Sequence, residues 1–441
     1  MKTDNLPPGD GPGLPILGQT LTMLKNGFAF VEEGARRHGP IFQTKVFGKS
    51  TAILTGPDAS ELFIDADRVQ RSGGMPPHIE ALFGGRALPL LDGQEHRDRK
   101  RLVMAAFTEE ALAAYLPVMQ TLVAGSIAGW SGRGELRLLD ELKSLAIETV
   151  MVTMLGISRG PVLDAVLADY DLVGAGFASL PVPLPGTAFT RAKKALARIL
   201  SVYERCYHER LAQPKDDGLS RILAERTESG CAITVDEAKR EIHHVVVAGL
   251  IVWAWFVEAI LELDRRPELK ERLLAEMRGL PPGPPTLSAI GRMHGLQILS
   301  MEIRRLAPVV FVLFGKARKS FEFAGYTVPE GWQVLWGLRS SHIRPEVYRE
   351  PETFDPSRFD PPRAEHRAHP HAFVPNGAGP ATGHKCAGYE FAPLLLQVFL
   401  IELNRSYDVS VAKPQNLAFD WSRIPPEPRD GLRATIRKRT S

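Results

Sequence analysis

Apolar positions recur along most of the chain at the three- and four-residue spacing of amphipathic helices, and only a few short pieces alternate as strands do. The strand-like pieces lie at 41–46 and 51–55 and again after residue 308. This pattern predicts a mainly α protein with a small β lobe, drawn chiefly from 40–56 and 308–340, without βαβ alternation. The chain 1–441 reads as one domain behind a Pro/Gly-rich lead-in at 1–20. The clearest helix opens at Thr234, where Thr234 and Glu237 have capping-box spacing, and its pattern runs unbroken to about Asp264, ahead of Pro267. It is apolar on most sides through 245–260, so it must cross the core. Another helix runs to about Leu306 and is stopped by Pro308. FEFAGYTVPEGWQVLWGL reads as a hairpin turning at Pro329-Glu330-Gly331. A long irregular stretch, about 341–385, ends in Gly377, Gly379, Gly383, His384, Lys385 and Cys386, and an apolar helix is expected from about Ala387.

Composition narrows the class. Hydrophobic residues make up 44% and charged residues 24%, as in a globular protein. A net charge of +3 is too small to imply nucleic acid or an anionic membrane as partner. The cysteines, Cys206, Cys231 and Cys386, are sparse and lack CxxC spacing, which excludes a disulfide framework and a zinc site and points to a reducing cytoplasm. The N-terminus carries no basic-then-apolar signal pattern, and no charge-free apolar run is long enough to span a bilayer.

The candidate chemistry centres on Cys386. A Gly-rich loop lets backbone approach a flat cofactor, and backbone N–H groups at the following helix start would stabilise a thiolate, although the same position also suits an inert buried cysteine. Glu302 and Arg305 form an ExxR pair on one helix face, and Arg358 in FDPSRF could complete a Glu-Arg-Arg network bracing the cysteine loop. His96 and Lys100 stand one helical turn apart in DGQEHRDRKRLVMAAFT.

Glu302-x-x-Arg305, FDPSRF and FVPNGAGPATGHKCAG, in this order, resemble the signature set of the cytochrome P450 family over nearly the whole chain. The resemblance implies the cytochrome P450 fold, a buried heme b (iron protoporphyrin IX) with Cys386 as axial ligand, and propionate contacts from His96, Lys100 and His384. Lys316 lies near where the family usually places a further propionate-binding arginine. The heme loop, with three additional residues between Gly379 and His384, is similar to that of the fatty-acid peroxygenase branch.

Two departures bear on the reaction. The family's oxygen-activating acid-alcohol pair is replaced in Ala248-Gly249-Leu250-Ile251-Val252: small residues remain, but Ile251 and Val252 cannot relay a proton. The peroxygenase branch also lacks that pair, but it anchors substrate carboxylates with an Arg-Pro, where this chain has Val247-Ala248-Gly249. His244 shares a helix face with Ala248 and Val252 and could anchor a substrate or move a proton, or be a satisfied core histidine; His243 is expected to be structural, and Glu258 paired. The apolar segments 72–85 and 177–189 match pocket-covering loops and suit a hydrophobic small-molecule substrate. Three functions follow: peroxygenase-like oxidation or atypical monooxygenation in specialised metabolism, using hydrogen peroxide or a ferredoxin or flavin reductase; isomerisation, dehydration or nitrene-like group transfer without external oxidant; or non-catalytic heme sensing.

Overall fold

The computed structural model describes residues 5–439 apart from Pro12, Ala178, Pro282, Pro308, Trp421, Ser422 and Ile424. The helix stop assigned to Pro308, and part of the 1–20 lead-in, therefore lie outside the described residues. Helices dominate, and strands gather into small sheets, as the periodicity anticipates.

The main sheet has five strands: β1 (Ile41–Val46), β2 (Lys49–Thr55), β3 (Val69–Gln70), β4 (Val312–Ala317) and β5 (Gln333–Gly337), in the order β1-β2-β5-β4-β3. β1 and β2 form a hairpin in which Val46 faces Lys49, closed by Phe47 and Gly48, both at positive φ. β2 pairs in parallel with β5, Ala52 opposite Val334, and β4 is antiparallel to both β5 and β3. The second hairpin differs from expectation. Its strands are Phe321–Phe323 and Tyr326–Val328, so the tight turn is Ala324-Gly325, both at positive φ, and Pro329-Glu330-Gly331 only redirects the chain into β5. Here Gly325 outweighs the proline signal, because it alone tolerates the left-handed backbone without strain.

The helices that position the site are α1 (Pro77–Leu82), α2 (Gly93–Met104), α3 (Pro161–Phe177), α4 (Ala188–Ala212), α5 (Val235–Leu250), α6 (Trp253–Arg265), α7 (His294–Leu306) and α8 (Phe391–Ser406). The Thr234/Glu237 capping box forms at the start of α5. The long central helix is not continuous, however. At Ile251–Val252 the bonding changes to i→i−3, with Val252 N–H donating to Gly249 O (3.2 Å) and Ala254 N–H to Ile251 O (3.2 Å). Glycine followed shortly by two β-branched residues weakens the helix there. Packing requires the glycine, since a Cβ on Gly249 would lie 2.4 Å from Val150 Cγ2 of the neighbouring Leu138–Leu155 helix.

The segments 109–130 and 235–265 are long and apolar enough to cross a membrane by length and composition, but about half of each apolar window is buried inside this fold. Trp255 and Phe256 of α6 are fully enclosed, and Phe256 stacks on Phe399 of α8 with centroids 4.4 Å apart. The central helix is thereby seated on the helix that follows Cys386.

Candidate active site

Cys386 ends a loop whose ends are held by backbone. Its N–H donates to Asn376 O (3.0 Å), and Gly377 and Gly379 turn the loop at positive φ. α8 begins at Phe391 rather than near Ala387, because Pro393 fits only the first turn of a helix. The intervening turn presents the Gly388 N–H to the sulfur. Burial pushes the Cys386 thiol up, while that N–H, Lys100 and Lys385 oppose the shift.

The expected brace is present and fully buried. Glu302 accepts from Arg305 Nε (2.7 Å) and Nη2 (2.8 Å), from Arg358 Nε (3.1 Å) and from Asp355 N–H (2.8 Å). Arg358 also reaches Glu365 (2.7 Å), and both guanidiniums lie over the Tyr348 ring. Two groups connect this network to the cysteine loop. Tyr348 OH donates to Ala372 O (3.0 Å), and His342 bridges Arg305 O (3.0 Å at Nδ1) to Val374 N–H (2.9 Å at Nε2). That geometry fixes the neutral Nδ1–H tautomer, and burial drives the His342 pKa down to about 3. No sequence signal marks His342, whose partners lie 37 and 32 residues away.

A cluster of basic groups stands beside the cysteine. His96 and His384 stack with centroids 3.9 Å apart, and Lys100 donates to Lys385 O. Arg71, absent from the sequence-derived set, completes the cluster: it is buried over the Phe63 ring (3.8 Å), and its Nη1 has no hydrogen-bond partner among the described residues. His96 Nε2 is likewise buried and without a partner among the described residues. Burial, aided by repulsion among these groups, drives His384 down to about 2, His96 to about 4 and Lys100 to about 8, and burial takes Arg71 to about 10. Asp92 is the carboxylate set among them. Two buried cations, Arg71 and Lys100, beside two neutral histidines and polar atoms left without partners, fit a dicarboxylate ligand such as the two propionates of heme. Lys316 lies opposite Gln70 in the strand pair, and the glycine beside it makes the room, because a Cβ on Gly315 would come within 3.3 Å of Arg71 Nη1. A single arginine at the end of a two-residue strand carries no motif, which is why sequence reading misses it.

α5 and the break that follows it carry the residues expected on the distal side. His244, Val247, Ala248 and Ile251 are partly accessible, whereas Ile242, His243, Val245 and Val246 are buried, so one helical face is open inside the core. Gly249 also borders this face, while Val252 is buried at the break. His244 Nδ1 lies 3.4 Å from Glu241 Oε2. His243 is engaged at both nitrogens, by Leu82 O (2.8 Å at Nε2) and Tyr170 OH (3.0 Å at Nδ1). Nε2 must donate to the carbonyl, so Nδ1 accepts from Tyr170, which in turn meets Tyr203 OH at 2.8 Å. Glu258 is not paired as expected: it makes no hydrogen bond or ion pair with a described residue, and burial, helped by Glu262, raises its pKa to about 7. The two segments expected to cover the pocket meet through Phe83 and Phe177 (5.2 Å) and through His78 and Phe189 (6.4 Å).

Residues 7–422 match the family model described as Cytochrome P450. The chain is 30% identical over 437 residues to putative cytochrome P450 120 of Synechocystis sp. (strain ATCC 27184 / PCC 6803 / Kazusa), covering 98% of this chain and 96% of that one. It is 27% identical to abscisic acid 8'-hydroxylase 4 of Arabidopsis thaliana, covering 98% and 92%. Among solved structures, retinoic acid-bound cyanobacterial CYP120A1 superposes with a TM-score of 0.91 at 29% identity, over 99% of both chains. Cytochrome P450EX alpha (CYP152N1) with myristic acid gives 0.83 at 22% identity, over 98% and 100%, a likeness of fold.

Proposed function

The chain belongs to the cytochrome P450 family and binds heme b, and from that premise we propose that it oxidises an apolar carboxylic acid with hydrogen peroxide as oxygen source. When bound, the heme supplies an iron whose thiolate ligand favours O–O cleavage. The reading rests on one observation above all: the accessible face of α5 offers Ala248, Gly249 and Ile251, with Val252 buried behind them, and so neither an acid nor an alcohol where protons would have to be delivered to reduced oxygen. Peroxide arrives already reduced and lessens that need.

The residues of this chain take four parts in the reading. Cys386 ligates the iron, while Arg71, His96, Lys100 and His384 hold the propionates and Glu302, Arg305, Arg358 and His342 brace the loop. Lys316 borders the propionate side. Ile251 and Val252 exclude water from the oxidant's side. The carboxylic-acid class is supported by the abscisic acid hydroxylase and the retinoic acid-bound structure among the relatives. A second reading, oxygen with an external reductase and an unconventional proton route, is favoured by the hydroxylase relative.

Turnover of a panel of hydrophobic acids, terpenoids and aromatics separates these readings. The panel is run with hydrogen peroxide, with reduced ferredoxin and oxygen, and with no oxidant. Product with peroxide is expected. Product only with reductant would refute the peroxide assignment, and product with neither would reveal rearrangement or group transfer.

A further inference from the structure

Four ionisable side chains form a line from the protein surface to the accessible face of α5. Glu237, in the first turn of α5, pairs with Arg99 of α2. Arg99, 4% exposed, donates through Nη1 to Glu241 at 2.9 Å. Glu241 is fully buried and also accepts the Leu88 N–H at 2.9 Å. His244 follows one helical turn later, its Nδ1 3.4 Å from Glu241 Oε2.

The order of charges in this line is informative. Glu241 accepts from a guanidinium and from a backbone N–H. A carboxylate accepts only, so the imidazole atom facing it must carry hydrogen. That fixes Nδ1–H on His244 and leaves Nε2 without a protein partner among the described residues, on a side chain 14% exposed. Charges then alternate as Glu237 negative, Arg99 positive, Glu241 negative and His244 positive when protonated, and the next complementary group is an anion.

We propose that His244 is the anchor for the substrate's carboxyl group and that Glu241 is the positioning residue that fixes its tautomer and balances its charge. This rests on the carboxylic-acid reading above and deepens it by naming the recognition device. On binding, the carboxylate accepts from Nε2–H of the imidazolium, and Glu241 accepts from Nδ1–H on the opposite side. Arg99 keeps Glu241 from being an uncompensated buried charge. The 3.4 Å separation is long for a hydrogen bond, and contacts of this kind shorten once the ligand is in place. Residues 247, 248 and 251 carry the apolar remainder of the substrate on the same face, so the histidine sets orientation while the aliphatic surface supplies affinity.

The test is optical titration of the heme-loaded protein, following the Soret band, with retinoic, abscisic and myristic acids and their methyl esters. The unmodified protein should bind at least one acid about tenfold more tightly than its ester, the worth of one charge-assisted hydrogen bond. His244→Phe should erase that preference and leave ester binding within about twofold. Glu241→Gln should weaken the preference, and His244→Lys should restore part of it. A preference that persists in His244→Phe overturns the anchor and leaves the acid reading standing. Equal affinity for acid and ester in the unmodified protein, or binding of none of the three acids, overturns both. Ester binding reports whether each variant keeps its pocket, so a fold defect is not mistaken for a lost anchor.

Discussion

Replacing His342 with glutamine should destabilise the protein at neutral pH and destabilise it less in acid. The imidazole joins Arg305 O to Val374 N–H, and its loss leaves at least one buried backbone group unsatisfied, at about 1–3 kcal/mol. The pH term follows from the shift. The folded pKa of about 3 lies below the unfolded value of about 6.5, so the unfolded chain takes up the proton first. The group costs nothing above the unfolded pKa, and stability drains away as pH falls from there toward 3. Between pH 7.5 and 5.0 this amounts to RT ln(1 + 10^1.5), about 2 kcal/mol, with little solvent screening because the ring is fully buried. Glutamine does not titrate, so the gap between variant and parent should narrow by about 2 kcal/mol over that range. Glu258, raised to about 7, titrates with the opposite sign, but it is common to both proteins and cancels. Urea unfolding of the heme-loaded proteins at both pH values, read by circular dichroism, measures the gap. A gap of the same size at pH 7.5 and 5.0 would refute the neutral-bridge assignment.

Cys386→Ser should abolish the thiolate-type spectrum of the carbon monoxide complex; an unchanged Soret position would sink the ligand assignment. Glu302→Gln leaves the buried Arg305 guanidinium without a carboxylate, while Arg358 keeps Glu365, and should cost about 3–5 kcal/mol, with faster heme loss in a transfer assay; a cost under about 1 kcal/mol would show the network to be dispensable. Val252→Thr alone should not create efficient oxygen use, since Ile251 still interrupts any relay, and well-coupled oxygen consumption in that variant would place the proton path elsewhere.

The parts of the site that sequence reading recovers are those whose partners recur in local motifs. Cys386, the Glu302/Arg305 pair and Arg358 each sit in a short word of sequence. Arg71, Glu241 and His342 do not: each is defined by what it meets across the fold, such as Gly315 beside Arg71 or Leu88 N–H beside Glu241. The break at Ile251–Val252 escapes periodicity for a different reason. Isoleucine and valine disfavour a helix only slightly, and the Gly249–Val150 approach that requires a glycine there is a tertiary fact. The Ala324-Gly325 turn was written in the sequence, but a neighbouring proline signal competed with it.

The cysteine loop has one further consequence. Cys386 N–H is tied to Asn376 O, Val374 N–H is tied to His342, and His384 and Lys385 are held by His96 and Lys100, so it is the segment 378–383 that leaves and re-enters the structure between pinned points. Its length is therefore decoupled from the position of the sulfur. Adding residues to such an excursion costs only a slowly growing closure entropy, on the order of 0.6 kcal/mol per doubling. Residues 378–383 can thus be lengthened or shortened through evolution, or accept a grafted peptide in engineering, while Cys386 keeps its place.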